Sequence, residues 1–299
     1  MIRSLVNWIV ARPERWVLAL TVTIVMPVAP AVLSGTVMVL LVLARGLPKA
    51  SIAAAIALAV LAITGLIMGL PPMQLVSNAG TIWLLAGFMA GLLSWSKSLV
   101  LAVQMTVILA LVVTVGMYLA LPDPALLWTE VLAEVAASFQ EQGLELQARF
   151  ILEQQRYAAL MTGVVIAAGW TYSTVLMLIG LAAYRMLPPG TAGFGEFRDL
   201  NLGRVLAIVL AVAAVAATLS QAIWLVNLAI VMLLVFWLQG LAILHWLRSS
   251  GRLPVWLLVL AYVAIMLPVS AGIMIFGLGV MGYIDAWFNV RRRLAGLPK

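Results

Sequence analysis

Residues 50–70, 79–95, 98–120, 158–186, 204–219 and 221–247 run with barely a charge among them. A helix needs about 20 such residues to cross hydrocarbon, because its backbone groups must bond internally where water is absent. Runs of that length recurring through a chain leave few folds open. The whole chain is 65% apolar and 9% charged, against roughly half and a quarter for soluble domains. The alternating ten-residue segments of an outer-membrane barrel do not occur. The chain therefore reads as all-α, a polytopic integral membrane helical bundle forming one membrane domain over 1–299.

Its one long hydrophilic interruption, 121–157, holds Asp123, Glu130, Glu134, Glu141, Glu145 and Glu153. This insert divides a first part, 1–120, from a last part, 158–299. The start, with Arg3, Trp8, Arg12 and Arg15, suits an interfacial helix. A signal peptide cut near Val28-Ala29-Pro30-Ala31 is the rival, and the prolines with the continuing apolar run favour an uncleaved helix. Residues 16–44 are too many for one upright span and few for two. Pro27 and Pro30 divide them into about 16–28 and 31–44, since each proline removes a helical hydrogen bond. Pro268 divides 254–290 in the same way, into about 254–267 and 269–290. The count is about ten segments, five on each side of the insert, including two short proline-broken hairpins.

Charge supports that count. With the N-terminus in the cytoplasm, every basic residue but Arg149 and Arg156 falls inside, Lys299 included. Eight spans would put both basic termini outside. The formal charge of +7 thus reflects membrane topology. Scattered singly, the basic residues make no nucleic-acid face. Cysteine is absent, which removes thiolate chemistry and cysteine-bound metals.

The insert reads as an extra-cytoplasmic amphipathic helical segment. Trp128, Leu132, Val135 and Phe139 share a stripe, Gly143 breaks it, and Leu146, Phe150 and Tyr157 resume it. Glu145 with Arg149, and Arg149 with Glu153, are spaced as i,i+4 pairs. It is read as a solvated cap at the lipid surface, or else as a binding lid or a partner-docking element.

Catalytic constellations are thin, and the chain reads as a non-enzyme without a cofactor. Gly277-Leu278-Gly279-Val280-Met281-Gly282 matches the dinucleotide glycine spacing but lies in a membrane run with no βαβ context. Its glycines, like Gly65 with Gly69 and Gly87 with Gly91, suit close helix contact. Ala50, Ala53, Ala54 and Ala57 form a similar small-residue face, suited to internal packing or to docking another membrane subunit. His245, the sole histidine, lacks a second ligand for a metal. No acid sits centrally in a span, which argues against a proton-driven pump. The neutral polar residues Gln104, Tyr118, Tyr172, Asn227 and Gln239 either bond between helices or line a pocket for a small molecule. Asp285, Asn289, Arg291 and Arg292 share the cytoplasmic end of the last helix, as an anchor at anionic headgroups or a docking site for a cytoplasmic protein.

Gln239-Gly240-Leu241 and the stretch Gly282-Tyr283-Ile284-Asp285-Ala286-Trp287-Phe288-Asn289-Val290-Arg291-Arg292, with Phe197-Arg198 before an earlier span, resemble the YybS-like family of uncharacterised bacterial membrane proteins. The resemblance implies a fold related to the substrate-binding membrane subunits of energy-coupling-factor transporters, and no established activity; the expected location is the bacterial inner membrane, with both termini cytoplasmic by the charge distribution. The family often shows a second acid where this chain has Asn289. Two functional readings follow: a small-molecule-binding or transport subunit, energised by partner chains because no nucleotide-binding loop is present, and a non-transporting scaffold or assembly factor that docks partner proteins.

Overall fold

The computed structural model describes residues 2–188, 193–294 and 296; Lys299, counted above among the cytoplasmic basic residues, lies outside them. Among the described residues every regular element is helical. In order these are α1 (Ile2–Ala11), α2 (Pro13–Val25), α3 (Pro30–Arg45), α4 (Leu47–Met68), α5 (Pro72–Ser96), α6 (Leu99–Ala120), α7 (Pro124–Glu141), α8 (Glu145–Glu153), α9 (Ala158–Tyr184), α10 (Gly203–Ser220), α11 (Ile223–Ser249), α12 (Val255–Met266), α13 (Pro268–Phe288) and α14 (Val290–Leu294). Short 3-10 turns occupy Gln154–Tyr157 and Phe197–Asp199. Among the described residues, 7 helices are long and apolar enough to cross a membrane: α4, α5, α6, the continuous Glu145–Tyr184, α10, α11 and α13. This is the build of a multi-pass membrane protein.

Prolines set many of the helix starts. Pro13, Pro30, Pro48, Pro72, Pro124 and Pro268 all stand in a first turn, where the missing N–H would have had no helical partner. The run 16–44 breaks as expected, with Ala29 in the left-handed region (φ 46°) just ahead of Pro30. The run 254–290 breaks at an extended Leu267, but unequally. Its first piece, α12, has 12 residues, about 18 Å of helix against a hydrocarbon core of about 30 Å. Its second, α13, has 21 and is of spanning length.

The chain forms two compact units, divided inside α6, inside α9 and between Gly195 and Glu196. The first comprises Met1–Val103 and Tyr172–Gly195. Its centre is α3, buried continuously from Val37 to Leu43. Ala50, Ala53, Ala54 and Ala57 are all buried on α4, so that small-residue face is spent on internal packing. Gly87 admits Met38, whose Cε would lie 3.0 Å from an added Cβ, and Gly180 admits Val39. A buried polar link joins three helices: Trp83 Nε1 donates to Ser34 Oγ at 2.7 Å, and Ser34 donates to the Leu20 carbonyl at 3.2 Å.

The second unit comprises Gln104–Thr171 and Glu196–Lys299. At its centre α11 packs along α13, and glycines make the approach possible. A Cβ on Gly240 would land on the Leu278 backbone, and one on Gly282 on the Phe236 carbonyl; one on Gly279 would lie 3.0 Å from the Leu233 carbonyl. Gly277 meets nothing, so only two of the three glycines in that pattern serve the contact. The insert folds as a helical hairpin. Asp123 caps α7 by accepting from the Ala125 N–H at 2.9 Å, Gly143 (φ 73°) turns the chain, and Ala136 and Ala148 are buried where α7 and α8 pack. Among the described residues neither Glu145–Arg149 nor Arg149–Glu153 closes to an ion pair. All three residues are exposed, and in a high dielectric such attraction is offset by the entropy of holding two long side chains.

Candidate functional site

Two polar nodes hold the second unit together, at opposite stretches of α11. The first is Asn227, fully buried. Its Oδ1 accepts from the Gly163 N–H at 2.6 Å, and its Nδ2 donates to the Ala159 carbonyl at 2.8 Å. That donor and that acceptor belong to one i→i−4 rung of α9, so the side-chain amide is inserted where the helix would bond to itself. Gly163 is required there: a Cβ would stand 2.7 Å from the Asn227 carbonyl. Asn227 Nδ2 also reaches the Tyr118 hydroxyl at 2.8 Å and the Ile223 carbonyl at 2.9 Å. Thr162, the neighbour of Gly163, accepts from Trp128 Nε1 of the insert at 2.8 Å.

The second node is Asp285, 1% exposed on α13. The left-handed Asn289 (φ 47°) ends α13 by donating to the Asp285 carbonyl, and this sharp turn swings Arg291 back over the carboxylate. Asp285 Oδ2 accepts from Arg291 Nη2 at 2.8 Å, Arg291 Nε at 3.1 Å and Gln239 Nε2 at 3.0 Å; Oδ1 accepts from the Arg291 N–H at 3.2 Å. Arg291 then donates to the carbonyls of Arg198 and Leu200, each at 2.7 Å. Gln239 Oε1 accepts from the Leu202 N–H at 2.8 Å while Gln104 Nε2 donates to the Leu202 carbonyl at 3.0 Å. Residues 198–202 are thereby strapped to α6, α11 and α14. A buried charge pair of this kind persists only when its remaining hydrogen-bonding capacity is satisfied, and here nearly all of it is.

The five neutral residues read from the sequence as pocket candidates sort accordingly. Gln104 and Gln239 meet on one residue, Leu202, the first at its carbonyl and the second at its N–H. Tyr118 and Asn227 meet each other, about 18 Å further along α11 at about 1.5 Å per residue. Tyr172 belongs to the other unit, its hydroxyl buried without a hydrogen-bond partner among the described residues. His245 accepts or donates a 2.7 Å bond with the Tyr262 hydroxyl and packs edge-on to Phe197, a purely structural setting.

Beside the second node lies a cavity of about 320 Å³ lined by Asp199, Asn201, Trp246, Asp285, Asn289, Arg291 and Arg292. Six of those seven side chains carry a charge or an amide, in a chain that is 65% apolar. Asp285 and Arg291 form its floor and neutralise each other. Asn201 and Asn289 stand near each other, Nδ2 to Oδ1 at 3.5 Å. Asp199 and Arg292 are exposed, and among the described residues neither makes an ion pair. Arg252 stacks on Trp246, its Cζ 5.5 Å from the ring centre. Sequence reasoning reached Asp285, Asn289, Arg291 and Arg292 but passed over Asp199 and Asn201, which sit in a basic linker valued only for topology. The available signal was two polar side chains flanking Leu200 between Arg198 and Arg204.

A second, apolar cleft of about 630 Å³ runs between α10, α11 and α13, lined by alanines of α10 and by Phe276, Val280 and Tyr283. Comparison of the chain with protein-family models, with curated proteins and with solved structures yields no match in any of the three.

Proposed function

We propose that the chain is a small-molecule-binding subunit of the membrane, and that the polar cavity at the arginine-bearing end of its second unit is the site. One observation carries this: several polar groups converge on a single concavity, with a buried charge pair as a rigid floor. Convergent polar groups in a concave site are the general mark of ligand binding. The residues of the YybS-like resemblance support it, because Arg198, Gln239, Gly240, Gly282, Asp285 and Arg291 are the ones that build this node. The role is binding or transport rather than catalysis, since Asp285 and Arg291 are consumed by each other and by the strap. Any energy source is a partner chain.

The same proposal includes about ten segments, with α2–α3 and α12–α13 as short proline-broken hairpins, in a bacterial inner membrane, both termini cytoplasmic and the α7–α8 hairpin outside. Reporter fusions test it: signals from Glu134 and from the C-terminus on the same face would overturn that topology. The binding role is tested by purification in mild detergent and mass spectrometry of what co-purifies. A retained small molecule or lipid, lost when Asn201→Trp fills the cavity, is the expected result.

A scaffold role has one feature in its favour. The insert exposes Leu126, Leu146 and Phe150 on a hairpin tied to the bundle by Trp128, a surface suited to a partner protein. Retention of a stoichiometric protein with an empty cavity would favour this reading.

A further inference from the structure

The charge pattern of the polar cavity points to a class of ligand. Its floor pair cancels, which leaves one carboxylate, Asp199, and one guanidinium, Arg292, facing the same space without bridging each other. Opposite charges sharing a wet cavity unpaired are complementary to a molecule that carries both signs. A guanidinium is suited to a planar or tetrahedral oxyanion, and a carboxylate to an ammonium. At about 30 Å³ per water, 320 Å³ corresponds to roughly ten water-sized atoms, enough for an ethanolamine phosphate group. The residues just ahead of Asp285 and Asn289 in the chain, Ile284 and Phe288, are exposed at 43% and 53% on a helix of membrane-spanning length. The helix that carries Asp285 thus also exposes apolar surface to which a hydrocarbon chain can adhere.

We infer that the cavity binds a zwitterion with a primary ammonium and a phosphate, the ammonium at Asp199 and the phosphate at Arg292, as found in a lipid headgroup or a free ethanolamine phosphate. The inference rests on the binding role proposed above and specifies its ligand. Asp199 and Arg292 are exposed and make no side-chain hydrogen bond among the described residues, so Asp199→Asn and Arg292→Gln leave the fold intact.

The full chain in mild detergent is titrated with phosphatidylethanolamine and with phosphatidylglycerol of the same acyl chains, and bound lipid is counted by native mass spectrometry. Tighter binding of phosphatidylethanolamine is expected. Asp199→Asn should weaken it about tenfold, the value of one charge-assisted hydrogen bond, and leave phosphatidylglycerol unchanged, whereas Arg292→Gln should weaken both. Soluble O-phosphoethanolamine added as competitor identifies the source: displacement at low millimolar concentration shows that the headgroup suffices, and failure to displace shows that a lipid is the ligand. Equal or tighter phosphatidylglycerol binding, indifferent to Asp199→Asn, overturns the zwitterion inference while leaving a binding site in place. Absence of binding by all three probes, with no other co-purifying molecule, overturns both.

Discussion

If the Asp285–Arg291 pair is the latch described above, removing it one member at a time should be far worse than removing both. In Asp285→Ala the guanidinium, 10% exposed, faces a site that has lost its counter-charge. In Arg291→Met the carboxylate, 1% exposed, keeps only the Gln239 donor and the N–H of residue 291. Either single change strands a buried charge, which costs about 3–5 kcal/mol. The double variant strands none. It releases the carbonyls of Arg198 and Leu200, the Gln239 amide donor and the N–H of residue 291, at about 1 kcal/mol each, and should lose about 4 kcal/mol. Summed singles would give at least about 6 kcal/mol, so the coupling is about 2 kcal/mol or more, well above what separated sites show. The assay is reversible unfolding in mixed micelles as the fraction of denaturing detergent is raised, read for all four proteins of the cycle. Additive losses, with the double variant near the sum of the singles, would refute the reasoning.

Three further outcomes are expected. Gly240→Ala should destabilise the protein by about 3 kcal/mol or more through forced separation of α11 from α13, whereas Gly277→Ala, with nothing within 4 Å, should be neutral to slightly stabilising; thermal denaturation in detergent compares them. Asn227→Leu frees the Gly163 N–H and the Ala159 carbonyl to bond each other and should cost about 1–2 kcal/mol, while Asn227→Asp, which buries a charge and cannot donate to Ala159, should cost several; similar losses in the two would count against the inserted-amide geometry. Trp128→Phe removes one bond of about 1 kcal/mol between insert and bundle, and hydrogen exchange should rise across 124–153 without rising in α11.

Much of the architecture was legible in one dimension. The breaks at Pro30 and Pro268 and the hairpin turn at Gly143 fall where residue type demands them, because proline and glycine act through local backbone sterics. The inward small-residue face of α4 followed from spacing alone. The partners of the polar residues did not. Nothing in the order of residues shows that Gln104 and Gln239 converge on opposite groups of Leu202, or that Asn227 enters the hydrogen-bond ladder of α9.

Composition and run length alone determined that this chain crosses a membrane as helices, because hydrocarbon imposes one requirement on every backbone group and that requirement is written into each segment separately. Tertiary structure decided which polar side chains are spent on holding helices together and which face open space. Asp285 and Asp199 are the same residue type at one end of the second unit, yet the first is buried under four hydrogen bonds and the second lines a cavity with no ion pair among the described residues. Burial and partnership depend on distant segments meeting, and that is settled only when the chain has folded.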